Sequence, residues 1–318
     1  MLPNRKSNMD RFLEHTSPRV RVRFHTQRNG SSSSSSSAEE VKIPGISLRD
    51  VGKACKEWSY FGVQVPLSIE NYDEKVIHHY APSLSAIQIF TIKPFADDDA
   101  VSSSSRSTVT AGTDGAETSA AKPNPFSNYR HRFLTPDKLG YLYFQYNETE
   151  KPWEREPLTA KMKELAKQYS GLSSLTSSDL SPYSWISITW SPIYSIPSVK
   201  RKELFASFLT YHSLTPFFPG EGLPEYDSIL FFEQNQFIKT FPARVNEIGE
   251  SLPPQVVLPP FGAVTYKAFG NLWIMPGTAD SQMIEMREKA ASSFVETMDF
   301  THNDLNFYMS SKFYGRPR

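Results

Sequence analysis

Between Pro182 and Pro216 the chain reads PYSWISITWSPIYSIPSVKRKELFASFLTYHSLTP. Within it Ile186, Ile188, Trp190, Tyr194 and Ile196 alternate with Ser187, Thr189, Ser191 and Ser195. A period of two in β-branched and aromatic residues describes a half-buried strand with one apolar and one polar face. Pro192 has no N–H to give to a ladder, so the strand is expected to bend there or to lie at an edge. A charged turn at Lys200, Arg201, Lys202 and Glu203 leads into a second apolar run, Phe205–Leu214, placed to pair back as a hairpin. This stretch predicts a β core; it specifies no chemistry.

Other short apolar runs bounded by turn residues extend that core. Strands are expected at Gly62–Ile69, Val76–Tyr80, Ala86–Pro94 and Tyr141–Tyr146, with a hairpin over Leu258–Met275 turning at Gly270-Asn271. Asp227–Phe232 reads equally as strand or helical turn, and Phe237–Gly249 as irregular. The twenty-four prolines punctuate these runs, and twenty-two phenylalanines with fifteen tyrosines supply large apolar area for a packed β-rich core.

Helices are signalled by period and caps. Ser7, with Asp10 three residues on, opens a short helix at 7–15. Leu48, Val51, Cys55 and Trp58 fall on one helical face after Ser47. Pro157 begins and Gly171 ends a run with Leu158, Met162, Leu165 and Tyr169 on one stripe. Ser281–Val295 is amphipathic, with Met283, Met286, Ala290 and Phe294 inward. The expected fold is α+β: a mainly antiparallel sheet covered on one side by helices at 47–58, 157–170 and 281–296.

Two low-complexity pieces shape the organisation. Residues 1–37 form a basic arm, partly disordered, carrying the docked helix at 7–15 and ending in the linker Ser31–Ser37. Seven basic residues (Arg5, Lys6, Arg11, Arg19, Arg21, Arg23, Arg28) face two acidic ones there. Residues 38–318 form a single domain interrupted by a disordered insertion at 96–125. Thirty-four basic residues balance thirty-four acidic ones overall, so no global field draws the chain to nucleic acid or membrane. The single cysteine, Cys55, excludes an internal disulfide and a cysteine-based zinc site, and reads as a small buried hydrophobe. No apolar run is long enough for a membrane helix, and no signal-peptide core opens the chain.

The motifs that cradle phosphates, build nucleophile elbows or bind catalytic zinc are absent. His78 and His79, adjacent on a strand, point to opposite faces and do not make a metal site; no metal and no cofactor is expected. The best catalytic candidate is His212, at the end of a core strand, with Ser213 or Ser191 as nucleophile and Asp227 or Glu233 as orienter. The plainer reading of His212 is a hydrogen-bonded structural residue. His302 and Asp304 read as an anchor for the C-terminal tail. Glu154, Arg155 and Glu156 read as charges preceding a helix N-terminus.

Several blocks together resemble a plant-specific family catalogued as domain of unknown function 789. They are SNMDRFL (Ser7–Leu13), EWSYFGVQVPL (Glu57–Leu67), Val76–Phe90 and WEREPL (Trp153–Leu158). WSPIYSIP (Trp190–Pro197), FLTYHSL (Phe208–Leu214), LPPFGAVTYKAFGNLW (Leu258–Trp273) and the HNDLNFY tail complete the set. The resemblance implies one folded unit running from the first helix to the tail. It brings no activity, cofactor or catalytic residue with it.

Three functional expectations follow. The leading one is a non-enzymatic interaction or regulatory module in the cytoplasm or nucleus. Its partner is a protein docked on aromatic loops such as PFFPGEGLP, with Phe217 and Phe218 as contacts. The second is an atypical, hydrolase-like enzyme using His212. The third is an anionic-ligand binder, for RNA or a membrane surface, through residues 19–28 with Arg19, Arg21 and Arg23. Ser17-Pro18 and the serine runs offer phosphorylation sites by composition.

Overall fold

The computed structural model describes residues 6–27, 41–70, 74–95, 139–215 and 254–314. In chain order the first elements are α1 (Asn8–His15), β1 (Arg19–Arg21), β2 (Arg23–Gln27), β3 (Val41–Gly45), α2 (Leu48–Ala54) and α3 (Lys56–Phe61). Next come β4 (Val63–Leu67), β5 (Val76–Thr91), β6 (Tyr141–Asn147), α4 (Leu158–Gln168), α5 (Gly171–Ser174), β7 (Trp185–Ile196) and β8 (Ser207–Ser213). Then follow β9 (Gln255–Val257), β10 (Gly262–Tyr266), α6 (Asp280–Thr297) and α7 (Asn303–Tyr314).

β5 is the spine. Its 16 residues pair along one edge with β7, and along the other first with β4 and then with β6. With β8 and β10 added beyond β7, this makes a six-stranded sheet in the order β10-β8-β7-β5-β4, β6 lying beside the second half of β5. All its pairings are antiparallel. The hairpin expected from the 186–196 alternation is the β7–β8 pair. The prolines inside β5 and β7 sit where the strand is paired on one side. Pro82 falls between the β4 and β6 segments, and Pro192 lies beyond Trp190, where β8 has ended. The two expected strands at 76–80 and 86–94 are one strand, because β7 pairs alongside both, across two register shifts.

The helices cover both faces, a correction to the one-sided arrangement. Ile186, Ile188, Trp190 and Phe208 pack with Met9, Phe12 and Leu13 of α1, Leu48 and Val51 of α2, and Leu158 and Met162 of α4. On the opposite face Trp185, Leu209 and Tyr211 pack under Ala291, Phe294 and Val295 of α6 and Leu305 and Tyr308 of α7. Ser187 and Thr189, on the polar side of β7, are fully buried there. The polar face, expected to be open to solvent, is instead roofed by α6 and α7.

Local chemistry sets the helix ends. Ser7 accepts from the Asp10 backbone N–H while Asp10 accepts from the Ser7 N–H, closing a capping box on α1. The run expected at 47–58 breaks at Cys55 into α2 and α3. α6 crosses close over β10 because Gly262 has no side chain: a Cβ there would lie 2.9 Å from the Ala291 Cβ. The expected hairpin over 258–275 does not form. Gly270 turns the chain at φ +76, but β10 pairs with the open edge of β8, and Trp273 returns to the core, donating to the Glu203 carbonyl at 2.7 Å.

The arm is partly built into the fold. β1 pairs with β9 and β2 with β3, and Val20 and Val22 are buried. The insertion at 96–125, the segments 227–232 and 237–249, and Phe217, Phe218, Asp227 and Glu233 lie outside the described residues.

Candidate functional site

His212 sits on β8, fully buried. Its Nδ1 lies 2.8 Å from the Leu258 carbonyl, which can only accept, so Nδ1 carries the proton. Nε2 is then bare and accepts from Thr210 Oγ1 at 2.8 Å, and Thr210 Oγ1 accepts from Trp190 Nε1 at 2.8 Å. Each donor finds an acceptor, and the ring ties β8 to the chain entering β10. Burial lowers its pKa to about 4, so the ring is neutral at pH 7. The structure does not bring Ser213 to it: Ser213 Oγ bonds to Thr215 instead. Ser191 lies past the end of β8, at the register position of Ala81.

The densest polar cluster is elsewhere, under the N-terminus of α7. The β5–β7 register shifts between Leu84 and Ala86, leaving Ser85 as the extra residue of a bulge. Ser85 Oγ reaches both Asp304 and, at 2.8 Å, His302 Nε2. Arg155, from the loop before α4, holds Asp304 with two parallel bonds of 2.7 Å, and Thr189 Oγ1 donates to the same carboxylate at 2.8 Å. Tyr211 OH lies 2.6 Å from His302 Nδ1. The pair expected to anchor the tail therefore joins α7 to β5, β7, β8 and the loop before α4.

The set holds a serine, a histidine and an aspartate, but its proton order runs the wrong way for nucleophilic catalysis. The carboxylate only accepts, so the Ser85 hydroxyl proton points at Asp304. Ser85 Oγ must then accept from His302 Nε2–H, leaving Nδ1 to accept from Tyr211. A histidine that donates to the serine cannot take its proton. Burial brings the His302 pKa down to about 4. Burial raises that of Asp304, but the bonds and charge of Arg155 outweigh it and leave the carboxyl below its usual value. The cluster is a charge-anchored hydrogen-bond chain.

Nothing in the sequence marks Ser85, Thr189 or Tyr211 as members of this cluster, and the Glu154-Arg155-Glu156 run carries only the signal of helix-end charges. Their meeting depends on a bulge and on long-range pairing, which leave no local mark. Two further histidines are also packed away. His78 lies edge-on to Tyr80 at 4.8 Å and burial lowers its pKa to about 4, while His79 stacks on Tyr194 at 4.3 Å. Among the described residues no group of three or more His, Cys, Asp or Glu is arranged to hold a metal. Burial pushes the Cys55 thiol up to about 12, far from a thiolate at pH 7.

The surface holds the remaining candidates. Arg19 and Arg21 are exposed on β1, and Arg23 is fixed by Asp50 through bonds of 2.6 and 3.2 Å. At the end of the sheet beyond β8, Ile193, Tyr194 and Ile196 of β7 are exposed. Tyr60 and Phe61 of α3 are 73% and 70% exposed next to Ile193: a Cβ on Gly62, the following residue, would lie 3.0 Å from Ile193 Cδ1. Ser17 is buried and donates to the Leu13 carbonyl, so its hydroxyl is not open to modification in the folded chain.

The family model described as "Protein of unknown function (DUF789)" matches residues 7–308. The chain belongs to this family. The family match takes in α1, both buried histidine networks and the first turns of α7, so the DUF789 unit includes the N-terminal helix and strands. No curated protein and no solved structure matches the chain. Among the described residues no helix is long and apolar enough to cross a membrane.

Proposed function

We propose that this DUF789 chain is a non-enzymatic interaction module of the cytoplasm or nucleus. It docks a protein partner on the apolar end of its sheet. The observation that carries this reading is the exposed apolar group of Tyr60, Phe61 and the neighbouring Ile193, with two aromatic rings more than two-thirds exposed. Exposed apolar groups of this kind mark interaction surfaces, and buried aromatic anchors dominate binding energy. The side chains of His212, His302 and Asp304, by contrast, are hydrogen-bonded within the interior.

The test uses the full chain as bait, after nuclease treatment, beside a Tyr60→Ser, Phe61→Ser double variant. Hot-spot aromatics are worth about 2 kcal/mol or more each. A partner retained by the native chain is therefore expected to be lost by the variant, at an unchanged unfolding midpoint. Equal recovery by both baits contradicts the reading.

A further inference from the structure

We propose a second, independent site: the extended segment Arg19–Arg23 binds a single-stranded nucleic acid along its backbone. The segment reads RVRVR. Val20 and Val22 are buried against the core, and the ladder continues through Val22 N–H to the Pro254 carbonyl at 2.8 Å. The three arginines therefore leave the same face, neighbours about 7 Å apart as two-residue steps of a strand require. A line of cations at that repeat, on a rigid strand, matches successive phosphates of an extended nucleic-acid strand.

The charges on this ridge are only partly neutralised. Arg19 and Arg21 have no ion pair among the described residues. Asp50 is shared by Arg23, at 2.6 Å, and Lys53, at 3.7 Å. Glu14, near Arg19, is already held by Lys6 at 2.8 Å. Five cations thus face two carboxylates, on a chain whose total charge is zero. Phe24 follows and is 58% exposed, but on the same alternation it leaves the opposite face, so the cations alone form the track. A cationic track along the backbone is the electrostatic part of how proteins hold single strands without reading sequence. An anionic membrane would favour cations spread over a plane with a broad apolar face to insert, whereas these lie in a line.

The test measures fluorescence anisotropy of a labelled oligouridylate or oligothymidylate with the full chain, beside sedimentation with phosphatidylserine-containing vesicles. Deleting residues 1–37 is no test, since it removes Phe12 and Val20 from the core. The variants are Arg19→Glu with Arg21→Glu, and the charge-neutral Arg19→Gln with Arg21→Gln; both arginines are exposed. Two or three phosphate contacts predict that affinity falls about tenfold between about 50 and 200 mM salt. Both double variants are expected to lose at least that factor at an unchanged unfolding midpoint. No oligonucleotide binding, salt-independent binding, binding unchanged in both double variants, or capture by vesicles alone would overturn the proposal.

Discussion

At the scale of single residues, the interior spends its polar groups on cohesion. Asp304→Asn leaves the Arg155 guanidinium buried without a counter-charge, and breaking a buried pair in this way costs about 3–5 kcal/mol. A drop of that size is expected in the free energy from urea unfolding; a change under about 1 kcal/mol would show that the pair is not load-sharing. Three buried histidines give the second prediction. His78, His212 and His302 each have a folded pKa of about 4, below the usual 6.5. As pH falls below 6.5 the unfolded chain takes up protons that the folded one refuses. Their stabilisation is complete above that pH and erodes by about 1 kcal/mol per pH unit for each ring, down to pH about 4. Asp304 has the same sign in a lower window, lost only below the ordinary carboxylate range. Urea midpoints at pH 7, 6 and 5 should fall steadily; a flat profile would mean that the rings are not buried neutral.

At the scale of elements, ends and crossings were set by small residues. Ser7→Ala removes one half of the α1 capping box and is expected to cost about 1 kcal/mol, read from thermal unfolding. Gly262→Val drives a side chain into Ala291, already 2.9 Å from a bare Cβ, and overpacking of this kind costs about 1–3 kcal/mol. A neutral result would mean that α6 can lift from β10. These elements also show what was legible in the sequence. Alternation placed β7, and capping chemistry placed α1, because both are written in neighbouring residues. The continuous run of β5 through Ser83–Ser85, the pairing of β10 with β8 and the two-sided cover were not. Each depends on which distant strand offers an open edge, or on which helix folds back over a polar face.

At the scale of the whole molecule, the buried chain through Asp304 closes the α7 side of the sheet, and the His212 chain ties β8 to the approach to β10. What faces outward is an apolar sheet end and a ridge of arginines. The α+β class could be read from strand and helix patterns. The Ser85–His302–Asp304–Arg155 cluster could not, since its members lie up to 219 positions apart and none carries a motif. One measurement tests the division between a cohesive interior and the proposed binding exterior: partner recovery per folded molecule for Asp304→Asn beside Tyr60→Ser, Phe61→Ser. The account predicts full recovery by the first, wherever it remains folded, and none by the second despite native stability. Loss of recovery in folded Asp304→Asn, with recovery intact in the double variant, would contradict it.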